Sequence, residues 1–163
     1  MSPPIPPSSC LMKVRITFAV IGILVGVSVL AVFGAKYHNW NVAIWGLMSG
    51  LVASVVLFIH IAYTKNYWEV NPYPLKQLML AGCFVQLAGV CGFVTYLTLA
   101  ILNEQGLIIE GPGFYLTCVW CFMTWKWGFL MLYFSRSYKR LYQQTYSLLH
   151  KTDDSVNSRH NYS

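Results

Sequence analysis

Uncharged, largely apolar positions gather into four long blocks, Ile16–Ala35, Tyr37–Thr64, Gln77–Asn103 and Gly111–Trp125, the last resuming beyond Lys126 to Ser135. A transmembrane helix needs roughly 20 apolar residues to cross the hydrocarbon, so each block is long enough to cross once. The predicted fold is all-α: an integral membrane bundle of four transmembrane helices, with spans at about 16–35, 42–64, 77–102 and 113–135. On this reading residues 13–135 are the transmembrane domain, 1–12 a proline-rich tail expected to be disordered, and 136–163 a basic and aromatic cytosolic tail. The apolar run after Lys13 and Arg15 exceeds the roughly 7–15 residues of a signal-peptide core, so it reads as an uncleaved first span. The connection 65–75 (KNYWEVNPYPL) holds two prolines and is not expected to form one continuous helix.

Composition agrees with the pattern. The chain of 163 residues is 56% hydrophobic and 10% charged, with a mean hydropathy of +0.52, whereas soluble domains carry about 25% charged residues. Four helices use most of the length, which leaves no room for a separate soluble domain. Charge then orients the bundle. Lys13 and Arg15 precede the first span, Lys65 and Lys76 lie in the second connection, and Arg136, Lys139, Arg140, Lys151 and Arg159 follow the fourth span. Lys36 stands alone in the first connection, and the third carries only Glu104 and Glu110. Basic residues favour the cytosolic side, so both termini are expected there, and the sequon Asn161-Tyr162-Ser163 is expected to stay unglycosylated. The same bias and contact with anionic lipid head groups account for the net charge of +6 without a nucleic-acid partner.

Lys126 is the one charged side chain inside a span. An ammonium in the hydrocarbon costs roughly 2.5–3.5 kcal/mol on insertion scales and usually marks a ligand or ion path. No Asp or Glu lies in any span to neutralise it. Arg136 is ten residues on, which places Lys126 roughly 15 Å deeper along a helix. Either Lys126 snorkels to an interface or it meets an anionic, largely apolar ligand. His60 and Tyr63 are three apart on the second span and share a face. Both residue types ligate haem iron; the alternative is an interfacial tyrosine and a histidine bonded to a neighbouring helix. The only other histidine before the C-terminal tail is His38, so a fixed, doubly ligated haem is not expected.

Other motifs are shared between packing and chemistry. Gly22/Gly26 and Gly46/Gly50 form GxxxG pairs, and Ala88/Gly92 a weaker one, all suited to close helix approach. Cys118 and Cys121 form a CxxC, the pattern of a membrane thiol oxidoreductase, but such an enzyme also needs an exposed second pair, and the connections contain no cysteine. Cys118, Cys121, Cys83 and Cys91 are read as small buried apolar residues. Tyr138, Tyr142 and Tyr146 recur every four residues, interleaved with Arg136, Lys139 and Arg140; they suit a flat carboxylated macrocycle or an amphipathic helix on acidic lipid.

The stretches His60-Ile61-Ala62-Tyr63, Asn66-Tyr67-Trp68, Val119-Trp120-Cys121-Phe122, Lys126-Trp127-Gly128-Phe129 and Phe134-Ser135-Arg136-Ser137-Tyr138 together resemble the heme-responsive-gene (HRG) family of four-span haem transporters. The resemblance runs from about Trp45 to Leu149 and is most specific over Trp120–Phe129. Phe134, Arg136 and Tyr138 match the family's cytosolic Phe-Ala-Arg-Lys-Tyr motif, from which Ser135 and Ser137 depart. The family's outer-loop histidine has no counterpart between Asn103 and Pro112, where Tyr115 is the nearest substitute. The resemblance implies a transporter, not an enzyme, with haem as transported substrate and no permanent cofactor. Haem would enter from the outer or lumenal side, rest on His60 or Tyr63, and leave past Arg136 and Tyr138. Lys126 or Arg136 would offset propionate charge, and Trp120 and Trp127 would stack on the ring. The chain has no nucleotide-binding GxxxxGK[ST] loop and no acidic residue in a span, so transport is expected to be gradient-driven. Further expected partners are membrane lipids, a second copy of the chain and a cytosolic haem acceptor. Tyr146-Ser-Leu-Leu149 resembles a YxxΦ sorting signal, and both plasma membrane and endosomal or lysosomal membrane stay open. A non-transporting tetraspan scaffold is the other class that these features allow.

Overall fold

The computed structural model describes residues 6–70, 73–109 and 111–160, and of Val70 and 148–160 the backbone alone. Residues 1–5 of the proline-rich tail, Glu110, the sequon at 161–163 and the side chains of Leu148, Leu149, Lys151 and Arg159 lie outside what it describes. The described residues form helices α1 (Ser9–Ala35), α2 (Trp40–Thr64), α3 (Tyr67–Val70), α4 (Tyr73–Leu102) and α5 (Phe114–His160), with no strand among them.

Local chemistry sets the boundaries. Ser8 accepts a hydrogen bond from the Leu11 amide at 3.4 Å, a serine N-cap, so α1 starts at Ser9. Residues 9–12, expected in a disordered tail, are therefore helical, and Met12 is buried. Asn39 caps α2 through its Oδ1, which accepts from the Val42 amide at 3.3 Å. After α2, Asn66 adopts a left-handed φ of 54°, which asparagine tolerates better than most residues. The chain folds back there, and α3 seats Trp68 against α2, its Nε1 donating to the Ile59 carbonyl at 3.4 Å. α3 ends at Val70 and α4 begins at Tyr73, so this connection is not one continuous helix, as the sequence implies.

The helices run up and down. α2 and α5 pack together at the centre, α1 lies against α2 and α4 against α5. Half of the most apolar window of α2 is buried, against 17% for α1 and α4, which makes those two the outer helices. α1, α2 and α4 are each long and apolar enough to cross a membrane. α5 carries its apolar stretch inside a 47-residue helix that includes Lys126 and a polar second half. The core gathers at the end of the bundle that holds the start of α1, around Val56, Ile59, Trp68, Leu75, Met131, Phe134 and Tyr138. At the opposite end the two short connections are tied together: the Gly111 amide donates to the Tyr37 carbonyl at 3.3 Å, and Asn39 Nδ2 to the Ile109 carbonyl at 3.5 Å.

Glycines let the helices meet. A Cβ on Gly26 would lie 2.6 Å from Gly50 Cα, so α1 and α2 touch backbone to backbone where the two GxxxG pairs face each other. On α4 the contact line differs from the one read in the sequence. Ala88 is exposed, whereas Gly92 does sit at a close contact, with Trp45 of α2 and Cys121 of α5; the approaches to the α5 backbone are made by Gly82, against Leu132 and Gly128, and Gly89, against Trp125. Spaced seven apart, Gly82 and Gly89 follow one helix face. Cys83 and Cys91 lie off that line and are exposed, not buried in the bundle; in a helix with apolar residues all round, the sequence carries no mark of which face turns inward. Cys118 and Cys121 are buried; the Cys118 thiol donates to the Phe93 carbonyl at 3.7 Å, and Cys121 Sγ faces Gly92. All five cysteines are free.

Candidate functional site

Near its C-terminal end α2 presents His60 and Tyr63 on one face, as their spacing predicts, and α5 brings Phe134 and Tyr138 to meet them. His60 Nδ1 lies 2.9 Å from Tyr138 Oη. Tyr63 stacks on Tyr138 at 4.2 Å between ring centroids, with the planes 15° apart. Phe134 stands edge-on to the His60 ring at 4.5 Å. His60 is 1% exposed and Tyr138 fully buried, whereas Tyr63 is half-buried. His60 also anchors its own turn, its carbonyl accepting from Thr64 Oγ1 at 3.0 Å.

Two residues of α1 complete the cluster and were not singled out as site residues in the sequence. Tyr138 Oη donates to Met12 Sδ at 3.9 Å. The Arg15 guanidinium carbon sits 4.8 Å from the centroid of the Phe134 ring, a cation–π distance. Burial raises the Tyr138 hydroxyl above the ordinary tyrosine range, and the neighbouring Arg15 partly opposes the rise. The clue lay in topology: in an up-and-down bundle the start of the first helix returns to the end of the second. The basic group at the cluster is thus Arg15, while Arg136 is exposed, away from the rings that flank it in sequence.

The other candidates lie apart. Lys126 is half-buried, its Nζ 5.2 Å from the ring centroids of both Phe18 on α1 and Trp127. It is 12 residues before Tyr138, roughly 18 Å along α5. Trp127 is 3% exposed and packs on Gly22 and Phe18, which leaves little of its face for a ligand. Trp120 is half-buried a further two turns away, with its carbonyl accepting from Thr124 Oγ1. Tyr115, also half-buried, sits at the opposite end of the bundle, roughly 35 Å from Tyr138 along the helix. The structure therefore joins His60, Tyr63, Phe134 and Tyr138, and separates them from Lys126 with Trp127, from Trp120, from Arg136 and from Tyr115. Among the described residues no group of three or more His, Cys, Asp or Glu side chains is placed to hold a bare metal ion.

Comparison with known proteins bears on the same chemistry. A family model described as haem-transporter, endosomal/lysosomal, haem-responsive gene matches residues 75–127. That interval takes in α4, the connection after it and the first turns of α5; His60 and Tyr138 fall outside it. The chain is 32% identical over 146 residues to a Caenorhabditis elegans protein named heme transporter hrg-1, an alignment covering 85% of this chain and 73% of that one. It is 24% identical to heme transporter hrg-4 of the same organism over 152 residues, covering 79% and 81%. No solved structure matches the chain. The relatives are named as transporters rather than as enzymes, and buried Cys118 and Cys121 have no exposed partner pair in the connections to exchange with. With that identity spread over so much of both proteins, the chain belongs to the haem-responsive-gene family of haem transporters.

Proposed function

We propose that the protein crosses an endosomal or lysosomal membrane four times, with both termini in the cytosol, and delivers haem from the lumen to the cytosol. Haem is supported by the family and by the names of both relatives. The endosomal or lysosomal membrane is supported by the family description. The orientation is supported by the excess of Lys and Arg at the end of the bundle that carries Arg15, Lys65, Lys76 and Arg136. The fourth crossing is the apolar part of α5, which packs between α2 and α4.

The observation that carries the mechanism is the convergence of His60, Tyr63, Phe134 and Tyr138 beneath Arg15. In the tautomer that carries its proton on Nδ1, His60 donates to Tyr138 Oη across the 2.9 Å contact, and Nε2 keeps its lone pair for the haem iron. An outer partner that fixes the tautomer of a ligating histidine is the usual arrangement at metal centres. Tyr63, half-buried and stacked rather than locked, parts from Tyr138 to admit the porphyrin plane between aromatic faces. Arg15 meets a propionate here. Lys126, higher in the bundle, offsets propionate charge on the way, beside Trp127 and Trp120. Tyr115 receives haem at the lumenal end. Transport runs down the haem gradient to a cytosolic acceptor, and the exposed apolar faces of α1 and α4 meet lipid or a second copy of the chain.

The test is haem-dependent growth of cells unable to make haem. Replacing His60 with Ala and Tyr63 with Phe together should abolish growth at limiting haem while the protein reaches its membrane at normal level. Unaltered uptake in the double variant would remove both residues as ligands.

A further inference from the structure

Just beyond the His60 cluster, the bundle opens into a cavity of about 770 Å³. That volume lies within the roughly 300–1,000 Å³ range of small-molecule sites. Its walls come from three elements: Trp68 and Glu69 on α3, Lys76 on α4, and Lys139, Tyr142 and Tyr146 on α5. Lys76 and Lys139 arrive from different helices and line the same aromatic space. The cavity is also continuous with the cluster. Tyr142 lies 6.1 Å from Tyr63 between ring centroids, and Tyr63 is the ring stacked on Tyr138, His60's partner. A planar molecule leaving the gap between Tyr63 and Tyr138 meets Tyr142 as its next wall.

We infer that this cavity is a second, exit-side porphyrin site, in which Lys76 and Lys139 hold the two propionates and the faces of Tyr142 and Tyr146 take the ring. The inference rests on the haem reading above and extends it to a staging position where haem waits, without iron ligation, for an acceptor. A carboxylated planar macrocycle fits the lining: two cations for two carboxylates, and apolar rings between them. Burial, with Tyr63 and Glu69 nearby, pushes the Tyr142 hydroxyl up to about 12, so Tyr142 offers a neutral ring and not a phenolate for iron. Tyr146 lines the cavity and is 72% exposed. Glu69, also in the lining, repels a carboxylate placed on its side and so favours one orientation of the ring.

Metal-free protoporphyrin IX isolates this site, because it cannot be held by iron ligation at His60. With the purified full chain in nanodiscs, bound protoporphyrin IX should slow acetylation of Lys76 and Lys139 several-fold, read by mass spectrometry, and leave Lys13 and Lys65 unaffected. Protoporphyrin dimethyl ester should bind about tenfold more weakly, the worth of about one charge-assisted hydrogen bond. Lys76→Gln/Lys139→Gln should lose that discrimination while still binding the ester, and Lys76→Arg/Lys139→Arg should keep it. Equal acetylation rates with and without porphyrin, or undiminished discrimination in the Gln pair, overturns the site. His60→Ala should retain lysine protection although it loses the haem spectrum. If haem itself is not transported, uptake fails in the wild type, whereas the protection and discrimination measurements still read the cavity.

Discussion

His60 and Tyr138, 78 positions apart in the chain, are joined by a 2.9 Å contact between Nδ1 and Oη inside the bundle. The contact occupies one histidine nitrogen, and the same hydroxyl lies 3.9 Å from the Met12 thioether, which brings α1 to the cluster. Tyr138 thereby reaches the histidine from a fully buried position.

Tyr138→Phe tests that role. The phenyl ring keeps the stack on Tyr63 and the edge contact with His60, so the variant should fold. Leaving Nδ1 unpaired in the interior costs about 1–3 kcal/mol and lets the imidazole ring take the other tautomer. We expect a shifted haem absorption maximum and several-fold weaker haem binding. Tyr63→Phe, which leaves the bond intact, should keep the wild-type spectrum. Identical spectra for wild type and Tyr138→Phe would show that the hydroxyl does not set the tautomer.

Arg15 and Arg136 make a contrasting pair. Arg15 rests over Phe134 at the cluster, whereas Arg136 is exposed. Arg15→Gln should lower haem uptake markedly and Arg136→Gln only slightly, at equal membrane levels. The reverse order would return the propionate contact to Arg136.

The Gly26–Gly50 contact predicts an asymmetry in stability. A methyl on Gly26 would lie 2.6 Å from Gly50 Cα, against backbone that cannot yield; a methyl on Gly50 would lie 3.3 Å from Gly26 Cα. Gly26→Ala should destabilise by about 1–3 kcal/mol, the usual range for overpacking, and Gly50→Ala by less. Thermal unfolding in detergent distinguishes the two, and equal melting temperatures would mean that α1 and α2 do not meet here.

Lys126→Met keeps the apolar stem and removes the charge, so insertion should become easier while transport falls. Lys126→Arg should keep partial activity, since charge is retained and donor geometry changed. The two ring contacts, at 5.2 Å, hold the ammonium without a carboxylate and leave it able to exchange aromatic faces for a propionate. Wild-type protein should discriminate against a haem diester, and Lys126→Met should discriminate less. Transport by Lys126→Met at the wild-type rate would leave the residue a positional role only.

Each of the four apolar blocks lies mostly in one long helix, because length and lack of charge mark such a segment, but α1 begins at Ser9, ahead of its block, and α5 runs on to His160, far past its own. The pairing of His60 with Tyr63 was legible for the same reason: it lies within one helix. What joins helices was not. Met12 and Arg15 reach the cluster through the register of α1 on α2, and neighbours in sequence do not encode that register. Arg136 and Phe134 stood together in one motif yet point to different surroundings, since residues two apart on a helix face away from each other. Gly82 and Gly89, Cys83 and Cys91 could not be sorted into inner and outer faces, because a helix that is apolar all round has no polar stripe to mark its exposed side.

α5 runs unbroken from Phe114 to His160, so a tilt at one point along it would displace both of its ends. One close seat against α4 is where Gly82 meets Gly128 and Leu132, with little side-chain bulk between the backbones. Tyr146 stands 18 residues beyond Gly128, roughly 27 Å along the rod, so a tilt of about 5° there sweeps Tyr146 through roughly 2 Å. Tyr115, on the other arm, swings the opposite way. A tilt of this kind would widen one mouth of the bundle as it narrows the other, a mechanical means to open to one side at a time.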